Sequence, residues 1–333
     1  MQIFETRPST YRLRSPWTAL SSASFLLWGA GTLVAIALLL PSVYLLIRAL
    51  GAGEEAWQSL LRWRTVETLA RTLWLAGAVT LLAMVIAVPL AWITVRTDVP
   101  LRRVWSALAP LPLVIPSYVG AYVMASALGP RGLFQQWLEQ WFGVQRLPSM
   151  YGFSGALITL TLLSYPYLLL SVRASLLRMD PALEEASRSL GDSAWRTFWR
   201  VTIPLLRPAL GAGGLLVALY TLRDFGAVAL MRYDTFTRVI YVQYQSFDRS
   251  QAALLALVLV AVTLIFVGLE ARIQRRARYF QGATGGARPP MIARLGVWRW
   301  PAALFCAVIV FFSLVLPACL LVYWLVRGLR AGE

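Results

Sequence analysis

The sequence predicts an all-α, polytopic membrane protein, with a six-helix core and a seventh transmembrane helix after it. Three observations carry this. Apolar residues make up 59% of the chain and charged residues 14%, with a mean hydropathy of +0.65, far from the soluble average. The apolar residues fall in runs long enough to cross a hydrocarbon layer of ~30 Å. Between these runs the basic residues, all of them arginine, are distributed unevenly, as topology signals are.

Taken in order, residues 1–24 are polar and basic, with Arg7, Arg12 and Arg14. The first run spans about Phe25–Ile47, with Pro41 towards its end, and a charged loop follows at 48–65. The second run, about Val66–Val95, contains Pro89 and is followed by Arg96, Arg102 and Arg103. The third, about Val104–Leu128, holds Pro110, Pro112 and Pro116. Each proline removes a ladder hydrogen bond. The freed carbonyls must find partners in protein or in a wet cavity, or the helix simply kinks. The fourth run is about Phe153–Leu177, with Pro166. The fifth, about Ala209–Met231, opens Gly211-Ala212-Gly213-Gly214, small residues that let helices approach closely. The sixth is about Gln251–Leu269, and a seventh, about Pro301–Val326, follows an arginine-rich linker. The domains read as 1–24, the core 25–270, the linker 271–300, and the last helix 301–333.

Placing the N-terminus, 96–103, 171–207 and 271–299 on one side gives 19 arginines there and 12 on the other. The positive-inside rule makes the richer side cytoplasmic, the N-terminus included.

One long polar stretch between two membrane-length runs is Asp180–Pro208. Asp180 suits an N-cap, Pro181 the first helical position, and Glu184 and Glu185 the first turn, where carboxylates oppose the helix dipole. Leu183, Ala186 and Leu190 recur at helical spacing. Gly191 suits a left-handed C-cap. Asp192 can cap a second helix whose Trp195, Phe198 and Trp199 form an aromatic face, with Pro204 and Pro208 expected to stop it. Such a hairpin either lies on the lipid surface or docks a partner.

The pattern Glu185-Ala186-Ser187, three residues, Gly191, nine residues, then Val201-Thr202-Ile203-Pro204 resembles the EAA motif of ABC importer permeases. Ser187 replaces an alanine, Val201 an isoleucine and Ile203 a leucine. The resemblance implies that this loop is cytoplasmic and docks on a separate ATPase, with Glu185, Ala186, Gly191, Trp195, Phe198, Trp199 and Pro204 as coupling residues. Two further stretches resemble ferric-iron importer permeases: Arg223-Asp224-Phe225-Gly226-Ala227-Val228 through Tyr233-Asp234-Thr235-Phe236-Thr237, and Pro89-Leu90-Ala91-Trp92 with Val95-Arg96-Thr97-Asp98. The implied system is a bacterial inner-membrane importer for ferric iron. Its implied partners are an ATPase dimer, a periplasmic substrate-binding protein, and a second permease half or a homodimer partner. Permeases for thiosulfate or sulfate, thiamine and polyamine share the architecture.

Arg223 and Asp224 read as ionisable residues inside the fifth run, where charge is costly and often marks a pathway. The structural alternative is that they snorkel or pair with neighbouring helices. With Tyr220, Tyr118 and Tyr122 they are the candidate substrate-pathway groups; hard Fe³⁺ prefers oxygen ligands.

No histidine is present, which removes most acid–base catalysis, the Ser-His-Asp set and the commonest metal ligand. No Walker A sequence occurs, so ATP is expected to be used by the partner, with no cofactor and no resident metal bound by this chain. Basic residues scattered between apolar runs do not form a nucleic-acid patch. A membrane-embedded enzyme would need polar groups clustered within several spans, and a passive anchor would not need a glycine-hinged aromatic loop. Cys306 and Cys319, thirteen residues apart in one expected helix, are too distant for a disulfide at about 1.5 Å per residue. Finally, Leu40-Pro41 to Glu54 and Leu316-Pro317 to Glu333 both pair a Leu-Pro helix with an arginine-bearing exit and Ala-Gly-Glu. Internal repeats are common in transporters. The seventh helix is therefore expected to be the first helix of an incomplete second half, unable to form a pathway alone, or redundant in a homodimer.

Overall fold

The computed structural model describes residues 22–130, 132–143, 149–246, 248–280 and 292–331. Most of the predicted N-terminal segment, and residues 281–291 of the linker, lie outside them. The first span is α1 (Ser22–Leu50), followed by the short α2 (Glu54–Leu60) and by α3 (Trp63–Arg96). Next come α4 (Arg102–Leu108), α5 (Ser117–Leu128), α6 (Leu133–Phe142) and α7 (Phe153–Arg178). The loop helices are α8 (Pro181–Ser189) and α9 (Ala194–Thr197). Then follow α10 (Ile203–Arg223), α11 (Gly226–Leu230), α12 (Phe236–Gln245) and α13 (Arg249–Phe280). The chain closes with α14 (Arg299–Val310) and α15 (Leu316–Ala331). Among the described residues 6 helices are long and apolar enough to cross a membrane, or 7 if α4 and α5 count as one broken span.

The third predicted span is not one helix: its halves meet at 104°. Pro110 cannot supply the N–H that the Ser106 carbonyl would accept, and Leu111–Val114 tightens into a 3-10 turn. The freed carbonyls find protein partners. Arg173 Nη1 donates to Ser106 O at 2.7 Å, and the Tyr165 hydroxyl to Ala109 O at 2.8 Å.

The start of the fifth span also departs from expectation. Pro204 and Pro208 do not stop the loop helix. Phe198–Thr202 forms a π-turn in which Ile203 N–H bonds Phe198 O, and the chain runs on into α10. Pro204 falls in the first turn of α10, where a missing N–H costs least.

The helices α3, α7 and α10 pack on one another as the centre of the bundle. Leu75, Val79, Leu90, Leu160, Leu168 and Val217 are fully buried there. A Cβ at Gly213 would meet Leu168 Cδ1 at 2.7 Å, and one at Gly214 would meet Met84 Cε at 2.7 Å. At Gly213 the Leu168 Cα also lies 3.0 Å away, so glycine lets α10 sit this close to α7, whereas the Met84 side chain beside Gly214 is free to shift. Against this centre α13 packs on α10 and α12, and α1 packs on α13, leaving most of α1 exposed.

The seventh span is seated in the bundle. α14, a π-turn at Phe311–Val315, and α15 run along α4, α5 and α7. Cys306, Val310 and Ser313 are buried, with Ser313 Oγ 3.4 Å from the Tyr165 hydroxyl. Cys306 and Cys319 are both free thiols.

Candidate functional site

The loop Asp180–Pro208 forms a rigid hairpin. Asp180 caps α8 by accepting from Ala182 N–H at 3.0 Å. The helix closes with two bonds, Gly191 N–H to Arg188 O at 3.0 Å and Asp192 N–H to Ser187 O at 3.2 Å. This is a Schellman closure, and it needs Gly191 at φ +92°. The second cap is not Asp192. Ser193 accepts from Arg196 N–H at 3.3 Å. Asp192 accepts instead from Ser187 Oγ at 3.0 Å and pairs with Arg196 and Arg200 at 3.5 and 3.7 Å. Ser187 also lies 3.1 Å from Thr197 Oγ1. The hydroxyl in the third position of Glu-Ala-Ser thus staples α8 to α9, which alanine could not do.

The hairpin has two faces. Leu183, Glu185, Ala186, Leu190, Trp195 and Trp199 are exposed, Leu190 at 88% and Trp195 at 70%. Phe198 is half-buried. Its ring packs on Trp195 and Trp199 within the loop and on Trp92 of α3, 5.8 Å away. Pro204 is half-buried where the loop joins α10. Five of the predicted coupling residues, Glu185, Ala186, Gly191, Trp195 and Trp199, therefore lie on open surface. The other two fasten the loop to the body.

One fastening is not evident from the sequence. Arg96, at the end of α3, is 2% exposed and faces Glu184, itself 13% exposed, with Nη1 3.8 Å from Oε2. That is an ion pair by distance but too long for a hydrogen bond. Arg96 Nη2 donates to Leu176 O at 3.2 Å, while Nε and Nη1 have no hydrogen-bond partner. Glu184 Oε1 accepts from Thr202 Oγ1 at 3.0 Å. One carboxylate thus joins α8, the π-turn and the ends of α3 and α7. The returning linker adds to the joint: Ala293 N–H donates to Arg96 O at 2.7 Å and Leu295 N–H to Asp98 Oδ1 at 2.8 Å. From sequence, an arginine at the end of a span reads as a topology signal. Only the fold shows that this one is buried.

The predicted pathway residues gather at the opposite end of α10. The helix stops at Arg223, so Asp224 lies in a break before α11 and not inside a span. Asp224 is buried; its Oδ1 accepts from Ala227 N–H at 2.9 Å and its carbonyl from Thr237 Oγ1 at 2.8 Å. The Arg223 guanidinium sits 5.7 Å from the Tyr220 ring centre, and Tyr220 packs on Tyr167. Gly226 meets the start of α5, where a Cβ would lie 2.9 Å from Tyr118 N. Tyr118 is exposed, and Tyr122, one turn on, packs 5.1 Å from Trp324 of the seventh span. Among the described residues no group of three His, Cys, Asp or Glu side chains could hold a metal ion.

Residues 83–279, which take in this whole loop, match the family described as "Binding-protein-dependent transport system inner membrane component". The chain belongs to this family. It is a multi-pass inner-membrane transport subunit and not itself an enzyme. It is 32% identical over 299 residues to "Fe(3+)-transport system permease protein FbpB 2" of Haemophilus influenzae, covering 89% of this chain and 55% of that one. The chain therefore spans about half the length of that relative. It is 28% identical over 254 residues to the "Sulfate transport system permease protein CysT" of Escherichia coli, covering 73% of this chain and 90% of that one. It is 30% identical over 174 residues to the "Molybdenum transport system permease protein ModB" of Escherichia coli, covering 52% and 71%. The fold is shared with solved transporters. A chain of the bacterial alginate ABC transporter aligns with a TM-score of 0.58 at 16% identity, over 78% of this chain and 96% of that one. A chain of the MetNI methionine ABC transporter aligns with a TM-score of 0.51 at 18% identity, over 68% and 99%. In this inner-membrane component the Asp180–Pro208 hairpin is a polar element fastened to the spans, with Leu183, Leu190, Trp195 and Trp199 facing outwards.

Proposed function

We propose that this chain is a permease subunit for ferric iron, driven by a separate ATPase that docks on the Asp180–Pro208 loop. The observation that carries the coupling role is the exposed face of Leu183, Leu190, Trp195 and Trp199 on a hairpin whose other face is pinned to α3, α7 and α10. Exposed apolar side chains on a rigid support suit a partner's cleft. A push at this face reaches three spans through Glu184 and Phe198. The arginine distribution supports a cytoplasmic loop and N-terminus. ATP is then hydrolysed by the partner, a periplasmic binding protein delivers cargo at the other end, and a second permease half or a second copy completes the pathway.

Iron is supported by the relative at 32% identity over 299 residues. Sulfate or molybdate is the second reading, supported by the relatives at 28% and 30%. Uptake of labelled ferric iron, sulfate and molybdate by cells expressing the chain with its flanking genes separates them. Uptake of iron alone is the expected result; uptake of an oxyanion without iron replaces it.

Gly191 tests the loop directly. A Cβ there meets nothing within 4 Å, so the cost of substitution is conformational. Gly191→Ala at positive φ is expected to cost about 1–2 kcal/mol locally. Gly191→Pro also removes the N–H bonded to Arg188 and should abolish ATPase co-purification and uptake while membrane abundance stays normal. Normal uptake in Gly191→Pro would remove the docking role.

A further inference from the structure

We propose that the outer end of this permease carries an access site for an anion, so that cargo arrives as an oxyanion or as iron held in an oxyanion or carboxylate complex, and not as a bare cation. The proposal rests on the transport reading above for its orientation. A cavity of about 730 Å³ opens at the end opposite the loop, between the start of α3 and the helices α12 and α13. Arg62, Arg64, Arg71 and Arg238 line it, with Glu67 and Asp234 as the only carboxylates among the described lining residues. Four guanidinium groups against two carboxylates leave a net charge of +2. Both carboxylates are already engaged: Glu67 with Arg71 at 2.6 Å, and Asp234 with Arg238. Arg62 and Arg64 remain, both exposed at the rim.

Guanidinium is a planar, permanently charged donor that suits carboxylate and oxyanion geometry. A concave site of one sign also concentrates the opposite charge at its mouth. A bare Fe³⁺ would be repelled here and would find no free carboxylate, although hard cations need anionic oxygen. An oxyanion, or iron wrapped in one, meets neither obstacle. The start of α12 links the cavity wall, through Phe236 and Arg238, to the pathway candidates. Thr237, beside Arg238, donates to the Asp224 carbonyl at 2.8 Å, and Phe236 N–H donates to Thr72 Oγ1 at 3.0 Å. The wall of the site is therefore bonded to the break between α10 and α11.

The test uses the permease purified with its ATPase and titrated with sulfate, molybdate, citrate and ferric citrate. Wild type should bind at least one of these probes, more weakly as ionic strength rises. Arg62→Gln/Arg64→Gln should weaken that binding about tenfold, and Arg62→Lys/Arg64→Lys should restore part of it. In whole cells the Gln variant should raise the KM for uptake while the maximal rate stays near wild type. Binding of sulfate or molybdate alone identifies a free oxyanion; preference for ferric citrate over citrate identifies a ferric complex. Absence of binding by wild type, or equal binding by wild type and the Gln variant, overturns the proposal. So does a Gln variant that loses affinity for the periplasmic binding protein while its anion binding is intact, which would make the arginines a protein contact. Because anion binding is read on the purified protein, a failed iron assay leaves it standing and a failed titration leaves the iron reading standing.

Discussion

Glu184→Gln is expected to abolish uptake and to lower stability by about 2–4 kcal/mol, because it leaves the Arg96 guanidinium buried without its counter-charge. The lower part of the range for breaking a buried pair applies, since the contact is 3.8 Å long and Glu184 keeps 13% exposure. Arg96 already has Nε and Nη1 without a hydrogen-bond partner; losing the carboxylate removes the nearest compensation. Arg96→Met/Glu184→Leu, which removes both charges, should recover most of the stability, as apolar replacements of buried pairs often do. It should not recover uptake, because Glu184 also ties Thr202 of the π-turn to the joint. The thermal midpoint of the detergent-purified protein reads the first effect; uptake per unit of ATP hydrolysed reads the second. A double variant that transports normally would show that Arg96 and Glu184 serve folding alone.

The spans were legible in the sequence because apolar runs of this length have one physical use. The α8 cap at Asp180 and the turn at Gly191 were legible for a similar reason: few residues suit those backbone positions. Other features were not. The π-turn before Pro204 and the seat of Glu184 depend on where α3 and α7 end in space, and no local pattern encodes that. Asp192 and Ser193 are both good caps, and only the inward pull of Ser187, Arg196 and Arg200 on Asp192 decides between them. The three prolines of the third run announced a break, but the donors that stabilise it, Tyr165 and Arg173, lie more than fifty residues away. Asp224 read as a charge inside a span, because an apolar run does not show that α10 stops one residue before it.

Val310→Asp is expected to reduce membrane abundance more than tenfold, whereas Leu304→Ala on the same helix is expected to leave it unchanged. Val310 is buried against the bundle, while Leu304 is largely exposed. A carboxylate at Val310 would be unpaired in low dielectric, at a cost of about 3 kcal/mol or more. The contrast follows from the seating of α14 and α15 on α4, α5 and α7, with Ser313 against the Tyr165 hydroxyl and Trp324 against Tyr122. Tyr165 is the side chain that satisfies the broken carbonyl at Ala109, so the seventh span packs on the residue that bridges the break in the third. A redundant helix would show neither effect. Expressing residues 1–280 and 292–331 as two chains extends the test. The second is expected to co-purify with the first, and to do so less well when it carries Val310→Asp. If the fragments do not associate, and Val310→Asp in the intact chain keeps wild-type abundance, the seventh span is dispensable to the bundle. Its packing would then have to be sought on another chain.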